Sequence, residues 1–171
     1  VNKWDLELGR PPMRLKISAG AYEGLFDLSG LTLQDLSIRD GASRTQVRFN
    51  SPNPGQMANF TYKTGASTVT LIGLANANFK SMTFDGGAGT YSLDFSGQLR
   101  TDAGVRIKAA AGSVRIAVPK ETAAQVTIDG TLNDIDAEGA WTAVDRTYST
   151  QAAGAQNQGK KLTVKVEIDV G

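Results

Sequence analysis

The chain has 171 residues, 40 % hydrophobic and 20 % charged, and a formal net charge of +1, so its charge balance favours neither nucleic acid nor an anionic membrane surface. It contains no cysteine and no histidine, which excludes disulfides, thiolate or imidazole metal sites, cysteine nucleophiles and every triad that needs an imidazole. Its 19 glycines mark a chain that turns often.

In chain order, Val1 to Leu8 shows no basic region followed by an apolar run, and no later stretch approaches the ~18 apolar residues of a membrane span. No membrane insertion by this segment is expected. Apolar residues then recur with period two: Leu6/Leu8, Leu15/Ile17, Phe26/Leu28, Leu36/Ile38, Val47/Phe49, Phe60/Tyr62 and Val69/Leu71. The pattern continues through Met82/Phe84, Tyr91/Leu93/Phe95, Val105/Ile107, Val114/Ile116/Val118, Val126/Ile128 and Val164/Val166/Ile168. Short strands between Gly, Asn, Asp and Ser clusters define an all-β chain.

An internal repeat organises these strands. Ile17, Ile38, Tyr62, Phe84, Ile107 and Ile128 end successive strands at intervals of 21, 24, 22, 23 and 21 residues. Gly20, Gly41, Gly65 and Gly87 each follow three residues later, and at least two of Gly41, Gly65 and Gly87 are expected to use positive φ at equivalent corners. A second strand follows at fixed phase, as in Gly24/Phe26/Leu28, Thr45/Val47/Phe49 and Val114/Ile116/Val118; Ile135, Ala137 and Gly139 keep that phase weakly.

This pattern predicts a single-stranded, β-helix-like β-solenoid of about six coils, each about 22 residues, in one domain spanning residues 1–171. Residues 1–12 are expected to form an N-terminal cap strand, 13–141 the repeat coils, and 142–171 a polar loop and C-terminal strand. Lys3 to Leu8 and Lys160 to Asp169 are the candidate caps. An antiparallel β-sandwich also accommodates many short strands, but sandwich strands need not repeat one phase.

No motif carries a catalytic, cofactor or metal assignment. Gly154-Ala155-Gln156-Asn157-Gln158-Gly159-Lys160 has P-loop spacing, but Lys161 stands where a hydroxyl should bind magnesium and a strand-like run follows. Asp85-Gly86-Gly87-Ala88-Gly89 is similar to a calcium-binding turn, yet Tyr91 stands where a ligand Asp is due. The carboxylates Asp27, Asp40, Asp85, Asp94, Asp129, Asp134 and Asp136 invite a polysaccharide-cleaving reading. Their alternation with apolar residues instead predicts a solvated outer face, interleaved with Lys16, Arg39, Arg48, Lys63, Arg106, Lys108 and Arg115. Trp4, Tyr22, Trp141 and Tyr148 lie outside the clearest rungs and are the candidates for sugar or partner contact, or for packing the ends.

Met13-Arg14-Leu15-Lys16-Ile17-Ser18-Ala19-Gly20-Ala21 is echoed by Tyr62-Lys63-Thr64-Gly65-Ala66-Ser67-Thr68-Val69 and by Phe84-Asp85-Gly86-Gly87-Ala88-Gly89. With Gly73 to Phe79, Leu93 to Gly97 and Ala111 to Val114, these stretches resemble the toast-rack, or cell-wall-active antibiotics response, proteins of bacteria and related adhesin-like β-solenoids. The resemblance covers residues 5 to 130. It implies an extracytoplasmic, cell-envelope setting, a link to envelope stress or adhesion, and no catalytic residue to carry over.

The expectation is therefore a non-catalytic envelope scaffold or binding domain, without cofactor or nucleic-acid partner, presenting a surface to a protein or glycan and behaving as a monomer or weak oligomer. The alternative is a polysaccharide-active enzyme using carboxylates on an outer face, which two acids in one concave groove would favour. A self-assembling module is a third possibility.

Overall fold

The computed structural model describes residues 4–132, 135–154 and 159–170. The chain winds as a flattened solenoid with two strands per coil. The first coil is β1 (Met13–Ser18) and β2 (Ala21–Asp27), the second β3 (Leu33–Arg39) and β4 (Ala42–Arg48), and the third β5 (Met57–Thr64) and β6 (Ala66–Ile72). In the fourth and fifth coils the strand runs unbroken through the corner, as β7 (Phe79–Asp94) and β8 (Ala103–Ala117). Then come β9 (Ala123–Leu132), the hairpin strands β10 (Trp141–Val144) and β11 (Thr147–Thr150), and β12 (Lys161–Val170).

Equivalent strands pair in parallel from coil to coil, so each backbone row hydrogen-bonds its successor about 4.8 Å away. The period-two pattern sends alternate side chains inward. Leu36, Ile38, Phe60, Tyr62, Met82 and Phe84 from the first sheet meet Val47, Val69, Leu71, Tyr91 and Leu93 from the second in one core.

There are about five coils, not six. The sixth rung of the first sheet is taken by β12, which inserts between β8 and β9 and pairs in parallel with both. The expected column is present with one addition: Ile17, Ile38, Tyr62, Phe84 and Ile107 are in register, Val166 follows, and Ile128 comes after it. Because Val164, Val166 and Ile168 repeat the same apolar phase as a coil strand, β12 fits the slot as well as β9 would.

Both expected caps are therefore corrected. Residues 4–12 form no strand, and Trp4, Leu6 and Leu8 are 80 %, 74 % and 45 % exposed. The C-terminal strand is internal to the sheet rather than at its end. The end of the first sheet is instead the β10–β11 hairpin, which continues antiparallel from β9. The coil repeat stops at β9 rather than at residue 141, and part of the expected polar loop is β11.

The glycine corners exist, but not for the expected reason. Gly41, Gly65 and Gly87 lack positive φ. A Cβ on Gly41 would sit 2.9 Å from the Gly20 carbonyl oxygen, and one on Gly87 would sit 2.5 Å from that of Gly65. Gly65 is blocked in the same way by Gly41. Stacked corners bring each backbone onto the preceding one, leaving no room for a side chain. Left-handed backbone occurs elsewhere, as at Gly112 (φ 115°), where a Cβ would also run into the Gly89 carbonyl.

The linkers closing each coil carry buried amides. Asn53 Nδ2 donates to the carbonyls of Leu33 (2.8 Å) and Ala77 (3.1 Å), while its Oδ1 accepts from the Leu33 and Gly55 amides. Asn76 repeats the device one coil on, donating to the Phe49 carbonyl at 2.8 Å and accepting from the Gln98 amide at 3.0 Å. These side chains satisfy backbone groups that irregular linkers leave without a sheet partner.

Candidate functional site

The two sheets end at different levels. The first continues past β8 through β12, β9, β11 and β10, whereas among the described residues nothing pairs with residues 112–117 of β8 on the side away from β7. The overhang leaves a cleft of about 540 Å³. Val114 and Ile116 of the open edge, with Val118 just past it, face Val166, Ile168 and Ile128 of the overhanging sheet, and all but the well-buried Val166 are only partly buried. Trp141 and Tyr148 close the far side, and Trp141 Nε1 donates to the Glu138 carbonyl at 3.1 Å. Ile135, Asp136, Ala137 and Glu138 form an exposed rim. The segment expected to supply a sixth second-sheet strand, through Ile135, Ala137 and Gly139, lies there without forming one.

The expected sugar- or partner-contact aromatics thus separate. Trp141 and Tyr148 meet in the cleft, Trp4 is exposed in the segment that precedes β1, and Tyr22 turns inward.

Most of the carboxylates lie on the outer faces, as expected. Asp85 pairs with Lys63 at 3.7 Å along the coil-to-coil register, and Glu167 pairs with Lys108 at 2.7 Å. The Ser29 side chain and amide beside Asp27 hold its carboxyl below the usual range. Asp94 accepts from the Ser96 amide and hydroxyl at 2.9 and 2.8 Å, Asp129 is exposed, and Asp134 lies outside the described residues.

Asp40 overturns the outer-face expectation. It is 7 % exposed and lies inside the corner, where its Oδ2 accepts from Tyr62 at 2.9 Å and Tyr22 at 3.1 Å and its Oδ1 accepts from Thr64. Ser67 links this group to Thr64 at 2.6 Å and to Ser43 at 3.1 Å. Burial, reinforced by the Asp40 charge, pushes both tyrosine hydroxyls above their ordinary pKa. With its acceptor sites occupied by hydroxyls of the protein itself, Asp40 is a structural anchor. The period-two pattern gives no sign of it, because the residue falls at the corner where inward and outward are decided by the turn.

Among the described residues no three Asp or Glu side chains are grouped to hold a metal ion. Asp85 to Gly89 lies within unbroken β7 rather than in a ligand loop. Of the P-loop-like run, residues 155–158 lie outside the described residues, and Lys161 begins β12, as its strand-like character predicts.

A parallel two-sheet solenoid with an end cleft defines the class: a β-solenoid repeat domain. Residues 1–72 match the family described as "N-terminal domain of toast_rack, DUF2154", and this match together with the coil architecture supports a toast-rack assignment. No curated protein and no solved structure matches the chain.

Proposed function

We propose that this domain is a non-catalytic scaffold of the bacterial cell envelope that takes up a protein partner as an added β-strand in its end cleft. One observation carries the reading: the edge over residues 112–117 is open directly above an apolar cleft floor. An unpaired edge beside an apolar groove suits β-augmentation, in which backbone bonds give affinity and alternate side chains fill the groove. The envelope setting and the link to stress or adhesion rest on the resemblance to the toast-rack proteins, which the match of residues 1–72 supports. Calorimetric titration with extended peptides and envelope glycans tests the cleft. Binding abolished by Ile116→Lys is expected, and binding indifferent to that change refutes the reading. Fractionation of a producing bacterium tests the setting, and a purely cytoplasmic pool contradicts it.

A second reading, polysaccharide cleavage, is favoured by Asp136 and Glu138 sharing the cleft rim. Both are exposed, whereas a general acid needs a less polar setting to stay protonated. New reducing or unsaturated ends, abolished by Asp136→Asn or Glu138→Gln, would establish it.

A further inference from the structure

We propose that the strand taken up by the cleft is residues 4–8 of a second copy of this chain, so that copies join head to tail. This rests on the reading of the cleft as a strand acceptor. Trp4, Asp5, Leu6, Glu7 and Leu8 alternate apolar and acidic residues, the pattern of a half-buried strand, yet they form no strand and leave Trp4 and Leu6 largely in water. The molecule thus has a strand-like segment without a sheet at one end and a sheet edge without a strand at the other.

Dimensions and charge agree. Five extended residues span about 17 Å, within the roughly 20 Å of the edge over residues 112–117. Paired there, Trp4, Leu6 and Leu8 would point to the overhanging sheet, onto Val166, Ile168 and Trp141. Asp5 and Glu7 would point outward, beside exposed Arg115, for which no salt bridge occurs among the described residues. Asp136 and Glu138 border the opposite rim, so net charge is nearly indifferent and the apolar stripe decides.

The strand cannot come from the same molecule. The cleft lies five rungs beyond β1, about 24 Å along the stack, whereas the five steps from Leu8 to Met13 reach at most ~18 Å. Coil-on-coil stacking is blocked as well, because β12, β9, β11 and β10 occupy the space that another first coil would need. A single extended segment is what fits, and the resulting contact is heterologous, giving open chains or rings.

Sedimentation velocity over a wide concentration range is the test. The intact chain should gain mass with concentration, while Leu6→Asp (no arm) and Ile116→Lys (no acceptor) should each remain at 18.1 kDa. Mixing the two variants should restore one association step, since one keeps the cleft and the other the arm. A peptide of residues 1–9 should bind the Leu6→Asp protein and dissolve the assembly of the intact one, and this holds even if Ile116→Lys fails to fold. An intact chain that stays monomeric and leaves the peptide unbound overturns the proposal, as does an association that survives Leu6→Asp. If other strand peptides still enter the cleft in that case, only self-pairing is lost; if nothing enters, the cleft reading falls with it.

Discussion

Val166 lies between Ile107 of the fifth coil and Ile128 of β9, in parallel register with both, and is 2 % exposed. The C-terminal strand therefore holds the last coil to the rest of the first sheet. Val166→Asp would bury an unpaired carboxylate and should lower stability by more than ~3 kcal/mol, whereas Lys165→Ser, on the exposed face of the same strand, should stay within about 0.5 kcal/mol. Chemical denaturation of both variants decides it, and similar midpoints would rule out the insertion.

That insertion marks where the sequence stops being legible. The spacing from Ile17 to Ile107 fixes five coils because each anchor must stack on the last, and the structure places every one of them in register. Beyond Ile107, Val166 and Ile128 are interchangeable by hydrophobicity and phase, so pattern alone selects the nearer in sequence. The cleft follows from that choice and was equally hidden, although Trp141 and Tyr148 stood out as aromatics without a rung. Asp40 is illegible for a different reason: its partners come from the coils on either side, Tyr22 from the first and Tyr62 and Thr64 from the third.

Gly65→Val should destabilise the domain by more than ~1 kcal/mol, through collision with the Gly41 backbone rather than through φ. Gly65→Ala separates the two causes. At a freely accessible negative φ, alanine would be neutral or stabilising, but here its Cβ meets the same carbonyl and a lowered midpoint is expected. An alanine variant as stable as the parent would show that the corners are looser than the stacking requires.

The tyrosines around Asp40 set a pH dependence with a definite sign. Burial raises the pKa of Tyr22 and Tyr62 above the ordinary 10.0, so the folded chain holds these protons more tightly than the unfolded chain does. The stability they contribute is complete below pH 10.0 and falls as pH rises beyond it, by up to ~1.4 kcal/mol per pH unit for each tyrosine. Tyr62→Phe removes a donor from buried Asp40 and should cost roughly 1–3 kcal/mol at neutral pH. It should also flatten the alkaline loss, so urea midpoints of parent and variant should converge between about pH 8 and about pH 11. Parallel curves would place the Tyr62 hydroxyl in water.

Stability should also be graded along the stack. Phe84 is fully buried in the fourth coil, with its ring 5.4 Å from that of Tyr62 and 4.9 Å from that of Tyr91, so Phe84→Ala should cost ~3–5 kcal/mol. Phe26 occupies the inner face of the first coil, where β2 has only β4 beside it among the described residues, and its side chain is only partly buried. Phe26→Ala removes the same atoms from a site that already meets water, so its cost should be less than half as large. In a chain of coils that each contact mainly their neighbours, the end should open more readily than the middle. Amide exchange should therefore be fastest in β1 and β2 and slowest in β5 to β7. Uniform protection from β1 to β8 would mean that the first coil is covered in solution, and loss of that uniformity in the Leu6→Asp variant would trace the cover to association through the arm.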